Sequence, residues 1–201
     1  MRFDETKFLS ELREPKADPG GGSTAAYVEM VALALVEKIC VLEILRAKKS
    51  MHDHKNLDNL LRQVRLKSDS LKSLVENDVL AYERLAASIK DGLRWPENCE
   101  MVTEAIESPY RIILGAIDSL QLISDIGCSC RHWLIPDVLV ALELTRASAK
   151  AAFHIAIANL DHIEETTARQ SRTEQLESAF RRAERYYSRV LESFKDNQGP
   201  V

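Results

Sequence analysis

Asp78 is the residue whose position in the sequence is most unusual for its chemistry. Leu71, Val75, Tyr82 and Leu85 recur around it at helical spacing, which predicts a carboxylate in the middle of an apolar stripe. An unpaired charge in such a place costs roughly several kcal/mol. Asp78 is therefore either a structural partner of a basic or hydroxyl group inside the fold or a carboxyl group that faces a cleft. A buried carboxyl group in a cleft is suited to general acid and base catalysis.

A second candidate is the glycine run Gly20, Gly21 and Gly22, which is followed by Ser23 and an alanine-rich segment. Backbone N–H groups at a glycine-rich helix start can bind an anion or a carboxylate. The run is not a Walker motif, because no Gly-Lys-Ser/Thr follows it and no strand precedes it. It is either a binding loop or a tight turn into the helix.

Polar residues also share a face of the segment that Pro136 opens. Asp137, Ser148 and Asn159 lie on one helical line that is otherwise lined by alanine, which favours a pocket. Two structural alternatives stand beside that interpretation. Asp137 complements the dipole of the first helical turn, and Asn159 can bond to a neighbouring helix.

The cysteines do not predict a metal site. Cys128, Cys130 and His132 do not have the ligand spacing of a closed zinc site, and Cys40 and Cys99 have no paired spacing. Four cysteines and no apolar signal segment after Met1 predict a reducing, cytoplasmic location.

Charge and hydropathy argue against two classes of partner, nucleic acids and membranes. The chain has 27 Lys and Arg against 31 Asp and Glu, mixed along the sequence, whereas a nucleic-acid binder carries a clustered basic excess. The most apolar stretch, 25–45, contains Glu29, Glu37, Lys38 and Glu43, so we expect a buried helix and no membrane span.

The elements that position these residues are predicted to be helices. Only seven glycines and six prolines occur in 201 residues, which indicates an all-α fold, a bundle of long and mostly antiparallel helices in one domain, 1–201. Asp4 is the expected N-cap of the first helix, with Phe3 and Phe8 as a hydrophobic staple. The predicted helices that follow are a central and most buried one at 24–46, then 57–89, a short one at 97–107, 108–126 with Ser108 as N-cap and Pro109 at its first position, 137–162, and a C-terminal helix within 165–201.

Several of these segments together resemble one family. The sequence PGGGSTAA at 19–26 resembles the opening of the cyclodeaminase/cyclohydrolase family, which includes the C-terminal domain of formiminotransferase-cyclodeaminase and stand-alone methenyltetrahydrofolate cyclohydrolases. The resemblance covers about residues 5–165. Its further pieces are AKK at 47–49, LVENDVLAY at 74–82, Pro136-Asp137, and IANL at 157–160.

The resemblance implies a dimeric helical bundle that acts on a one-carbon unit carried by tetrahydrofolate. It implies that Asp78 is the catalytic residue that moves the proton. It implies no metal and no cofactor beyond the folate-derived substrate. The implied substrate-binding groups are Lys48 and Lys49 for the glutamate tail, the amides of Gly20, Gly21, Gly22 and Ser23 for a carboxylate or ring carbonyl, and Asp137 or Asn159 for the donor edge of the pterin.

Three activities remain open from the sequence. Hydrolysis of methenyltetrahydrofolate to the 10-formyl compound is the favoured expectation, because no formiminotransferase domain is fused to this sequence. Deamination of the formimino compound is the alternative. A folate-binding or scaffold relative without activity is the third, since Ile155, the shortened segment at 94–97 and the residues before Asp137 depart from the family pattern.

Overall fold

The computed structural model describes residues 4–16 and 19–197, which form six α-helices and no strand. The all-α prediction is confirmed for this part of the chain. Short 3₁₀ turns, His132–Leu134 and Leu160–His162, flank the fifth helix. The helices are α1 (Glu5–Leu12), α2 (Gly21–Lys49), α3 (Lys55–Lys90), α4 (Cys99–Ser129), α5 (Ile135–Asn159) and α6 (Thr166–Asn197).

The start of α1 follows the sequence prediction. The Asp4 side chain accepts a hydrogen bond of 3.0 Å from the backbone N–H of Lys7, which confirms Asp4 as the N-cap. Phe8 is buried and its ring centroid lies 5.1 Å from that of Tyr27, so α1 docks on α2. Phe3, the other predicted staple residue, lies outside the described residues.

The long helices form an up-and-down bundle. Consecutive helices from α2 to α6 contact one another and are joined by short connections, as in antiparallel packing. As a result the start of α2, the second half of α3, the start of α4 and the end of α5 meet at one end of the bundle.

The most buried helix is α4, so the prediction that 24–46 would be the most buried segment is wrong. Helix α4 contacts α2, α3, α5 and α6, whereas α2 contacts α3, α4 and α5 and leaves one apolar face exposed at Val31, Leu42 and Leu45. In length and composition α4 could cross a membrane. Most of its apolar window is buried inside the bundle, as in the core helix of a packed domain.

The predicted helix break at Ser108-Pro109 is also wrong. Residues 99–129 form one continuous helix with Pro109 in its interior. A proline inside a helix removes one N–H and frees the carbonyl four residues earlier, here that of Ala105. That carbonyl accepts a hydrogen bond of 2.7 Å from Nδ2 of Asn159 on α5. The packing therefore supplies the donor that the proline lacks, and the helix continues.

Candidate active site

A cavity of about 380 Å³ lies at the end of the bundle where α2 begins and α5 ends. Four helices and the turn after α5 contribute to its wall. Its chemically distinctive lining residues are Gly20, Gly21, Gly22, Asp78, Tyr82, Asn159 and His162. The glycine run and Asp78 therefore line the same cavity.

Asp78 is the buried acid of this cavity. Its side chain is 8% exposed, and Oδ1 accepts a hydrogen bond of 3.1 Å from the hydroxyl of Ser108 on α4. The backbone N–H of Ser23, at the start of α2, also favours the charged form of this carboxylate. Burial raises the pKa of Asp78 above its usual value, and the Ser108 hydroxyl and the Ser23 N–H oppose that rise. Among the described residues no cation forms an ion pair with Asp78, so its partner is a hydroxyl group and not a base.

Gly22 lets the start of α2 approach this carboxylate. A Cβ atom at Gly22 would lie 2.3 Å from Oδ1 and 2.6 Å from Cγ of Asp78, closer than real Cβ contacts. The anion at the N-terminus of α2 is therefore the carboxylate of the protein's own Asp78. Contact of the Ser23 amide with substrate stays a prediction.

The Ser23 side chain closes the first turn of α2. Its hydroxyl accepts from the backbone N–H of Gly20 at 3.1 Å and lies 3.0 Å from the Gly20 carbonyl. Ser23 is fully buried. Gly20 and Gly21 remain at the cavity wall.

Asn159 lines the cavity and has a structural task there. One of its N–H groups is committed to the Ala105 carbonyl that Pro109 leaves without a helical donor. Ser108, the residue before the proline, donates to Asp78. The alternative in which Asn159 bonds to a neighbouring helix is thus the one observed.

Three of the predicted binding residues lie far from Asp78 within one chain. Lys48 and Lys49 end α2, and 29 residues of helix place them roughly 40 Å from the glycine run. Asp137 begins α5, 22 residues before Asn159 or roughly 33 Å along the helix, and its Oδ2 is 3.0 Å from Nζ of Lys38. Substrate contacts by these three residues remain predictions and would need a second chain at the cavity.

Sequence reasoning missed two residues of the site, Ser108, which bonds to Asp78 from outside the cavity lining, and His162, which lines the cavity. Ser108 was interpreted as a helix cap, and only the packing of α4 on α3 shows its bond to Asp78. His162 comes from the 3₁₀ turn after α5, where no sequence pattern marks it. No group of three or more His, Cys, Asp or Glu side chains suited to a metal ion occurs among the described residues, and all four cysteines are free.

Comparison with known proteins places this geometry in a family. The sequence matches the family model described as Formiminotransferase-cyclodeaminase over residues 5–178. The fold is similar to the crystal structure of formiminotetrahydrofolate cyclodeaminase from Thermotoga maritima, with a TM-score of 0.84 and 24% identity over 97% of each chain. The sequence matches none of the curated proteins compared with it. Because the family model spans most of its length, the chain belongs to the formiminotransferase-cyclodeaminase family.

Proposed function

We propose that the chain is a formiminotetrahydrofolate cyclodeaminase, with Asp78 as the group that moves the proton. The observation that carries the proposal is a carboxyl group with a raised pKa that accepts a hydrogen bond from a hydroxyl at the wall of a cavity. The family match and the similar fold both come from proteins whose names include cyclodeaminase. The hydrolase reaction favoured from the sequence acts on the same carbon and becomes the second candidate.

The reaction needs a group that accepts a proton and then returns it. The formimino group on N5 reacts in its protonated form, –CH=NH2⁺: N10 of tetrahydrofolate attacks its carbon, the C=N π bond opens onto the nitrogen to leave –NH2, and a C–N10 bond forms as the proton of N10 passes to the Asp78 carboxylate. The Asp78 acid then gives that proton to the former imino nitrogen. The bond from the carbon to this nitrogen breaks, and ammonia leaves with the methenyl compound as product. A carboxyl group whose pKa is raised toward neutrality serves both steps.

The reaction as written exchanges carbon–nitrogen bonds and moves protons, with no change in oxidation state. We therefore propose a folate derivative as the small-molecule substrate and no metal or redox cofactor. Gly20 and Gly21 present backbone at the cavity wall and are the proposed contacts for a substrate carbonyl. Lys38 is paired with Asp137 at the other end of α5, so no role at this cavity is proposed for Asp137 within one chain.

The proposal also includes association of two copies. Val31, Leu42 and Leu45 are 43–54% exposed along one face of α2 and would be covered by a second chain. Light scattering should return a dimer at micromolar concentration, and Leu45→Lys should shift it toward monomer. Leu66→Lys, an equally drastic change at a more exposed position on α3, is the control. A monomer in the unmodified protein would refute association.

The absorbance of the methenyl group distinguishes the candidate activities. Incubation with 5-formiminotetrahydrofolate should produce the methenyl chromophore together with an equal amount of ammonia, and the Asp78→Asn protein is the matched blank. Loss of the chromophore from added methenyltetrahydrofolate without ammonium would identify the hydrolase instead. Calorimetric binding without either reaction would indicate a relative that has lost activity. No binding of any folate derivative would leave only a scaffold.

A further inference from the structure

A second cavity, of about 210 Å³, adjoins the first. It is formed by the connection between α3 and α4 and by the turn that follows α5, and His162 lines both cavities. Its other distinctive lining residues are Arg94, Trp95, Asn98 and Glu164. None of these was a candidate binding residue in the sequence, and the reaction described above does not use them.

Asn98 is the feature that marks this cavity as a binding site. The side chain is 2% exposed, and its Nδ2 donates to the Leu93 carbonyl at 3.3 Å, which sets the orientation of the amide. Oδ1 has no hydrogen-bond partner within the described part of the chain. A buried acceptor without a donor is destabilising and is uncommon in folded proteins. Asn98 lines the cavity while Oδ1 itself is sealed from solvent, so a small shift of the side chain would bring this acceptor to a ligand that supplies an N–H.

The surrounding side chains define the shape and polarity of that ligand. Trp95 presents a half-buried indole to the cavity, which favours a flat ring. Glu164 adds a carboxylate acceptor, and Arg94 adds a guanidinium group that has no ion pair among the described residues. The cavity thus offers two acceptors and one cationic donor around an aromatic face. A 2-amino-4-oxopyrimidine ring has the complementary edge, with two N–H donor positions and one carbonyl.

We propose that this second cavity binds the pyrimidine half of the pterin, with Asn98 Oδ1 and Glu164 as acceptors for its donor edge and Arg94 at its carbonyl. The assignment rests on the proposed folate chemistry. It replaces Asp137, which lies at the other end of α5, as the partner of the donor edge. N5 belongs to the other ring of the pterin, so a pterin bound here directs the one-carbon unit past His162 to the cavity of Asp78.

Polarity and charge bear on which part of the substrate, the pterin or the tail, binds in the second cavity. The aminobenzoylglutamate tail carries two carboxylates, and the second cavity places Glu164 and Asp161 at its wall. Asp161 is paired with Arg169, so the charges at this wall without an ion pair among the described residues are one cation, Arg94, which attracts an anionic tail, and one anion, Glu164, which repels it. The acceptor of Asn98 likewise offers nothing to a carboxylate.

The two tryptophans of the chain provide the probe. Trp133→Phe leaves Trp95 as the only indole, and Trp95→Phe leaves Trp133, which lies near the start of α5 and roughly 35 Å from the cavities. A tetrahydropterin without a tail should quench the fluorescence of Trp95 and leave that of Trp133 unchanged. Aminobenzoylglutamate should quench neither. Quenching of Trp95 by aminobenzoylglutamate alone would overturn the assignment.

Variants of Asn98 test the acceptor itself. In the Trp133→Phe background, Asn98→Leu should weaken binding of 5-formyltetrahydrofolate about tenfold by calorimetry, the effect of one lost hydrogen bond. Asn98→Gln keeps both a carbonyl acceptor and an N–H donor for the Leu93 carbonyl and should retain more of the affinity, provided that circular dichroism shows all proteins folded. Equal affinity in Asn98→Leu would refute the role of Oδ1, and if that variant does not fold, the tryptophan quenching still decides.

The outcomes also separate this inference from the proposed function. Binding of 5-formyltetrahydrofolate with no change at Trp95 would refute the second cavity as the pterin site and leave the cyclodeaminase proposal standing. Quenching of Trp95 by the pterin in a protein without turnover would support the site and remove the activity. Absence of any folate binding would overturn both.

Discussion

Asp78 and Glu29 are both buried carboxyl groups of the bundle, and they differ in what they face. Asp78 lies at the wall of a cavity and is bonded to Ser108. Glu29, on α2, is fully buried and lines none of the cavities described above. Its Oε1 accepts from Ser119 at 2.6 Å and its Oε2 lies 3.4 Å from the hydroxyl of Ser148. Glu29 therefore joins α2 to α4 and α5 in the middle of the bundle.

The comparison shows that burial alone does not make an acid functional. Burial raises the pKa of Glu29 to about 7, against the opposing effects of the Ser119 hydroxyl, nearby Lys67 and the Ser148 hydroxyl, while Asp118 adds to the rise. Burial is also the main cause of the raised pKa of Asp78. Only Asp78 has space beside it for a reacting molecule. We expect Glu29 to govern stability and Asp78 to govern turnover.

Matched acid-to-amide changes should separate these two roles most strongly. Asp78→Asn should lower turnover about 10²–10⁴-fold, because an amide cannot accept and return a proton. Its melting temperature should not fall, since Asn can still accept from Ser108 and the charged form that burial disfavours is gone. Glu29→Gln should leave turnover near that of the unmodified protein. Normal turnover in a folded Asp78→Asn protein would remove Asp78 from the mechanism.

The pH dependence of stability should reveal Glu29. Its pKa rises from 4.5 in the unfolded chain to about 7 in the fold, so the folded protein holds a proton that the unfolded chain releases. Stability from this group is therefore complete below pH 4.5, falls as the pH rises, and is lost above pH 7. Linkage gives a difference of about 3 kcal/mol.

Denaturant melts of the unmodified protein and Glu29→Gln between pH 4.5 and 8 measure this difference. As the pH rises, the unmodified protein should lose unfolding free energy relative to the Glu29→Gln protein. Asp78 is present in both proteins, so its titration cancels. A gap that does not vary with pH would show that Glu29 is charged in the fold, compensated by Lys67.

Neighbouring glycines test how tightly Asp78 is held. Gly22→Ala forces a Cβ atom into the Asp78 carboxylate, and the displacement should lower kcat about 10²-fold. Gly21→Ala is the matched control, because its Cβ would meet Cδ1 of Ile155 at 2.8 Å, the end of a flexible side chain that can move aside. The loss in Gly21→Ala should be much smaller. Similar losses in both variants would show that the helix start, and not the carboxylate contact, controls activity.

The helical spacing of apolar residues in the sequence pointed to Asp78, because this single acid interrupts the apolar stripe of an amphipathic helix. It did not single out Glu29, because α2 is apolar on nearly every side and the sequence of such a helix does not show which face is buried deepest. The glycine run could be assigned to the cavity from its type and position. The groups that complete the second cavity, Asn98 and His162, lie in a connection and a turn, where no period orients side chains.

Helix length explains the binding residues that the structure keeps apart. Lys48 and Asp137 stand beside recognisable motifs, yet each lies at the far end of a helix whose other end carries the cavity. The break expected at Pro109 failed for a different reason. Proline usually ends a helix because it lacks the N–H that would bond to the carbonyl four residues earlier. Here the side chain of Asn159, 50 positions later in the sequence, donates to that carbonyl instead.

The last prediction concerns this replacement of a donor. Asn159→Ala leaves the buried Ala105 carbonyl without a partner and should cost about 1–3 kcal/mol of unfolding free energy. In a Pro109→Ala background, residue 109 regains the N–H that reaches the same carbonyl, so the cost of Asn159→Ala should become much smaller. The space left by the truncated side chain is the same in both backgrounds, so the difference measured by a double-mutant cycle isolates the hydrogen bond. Additive effects of the two changes would show that α4 passes through Pro109 without help from Asn159.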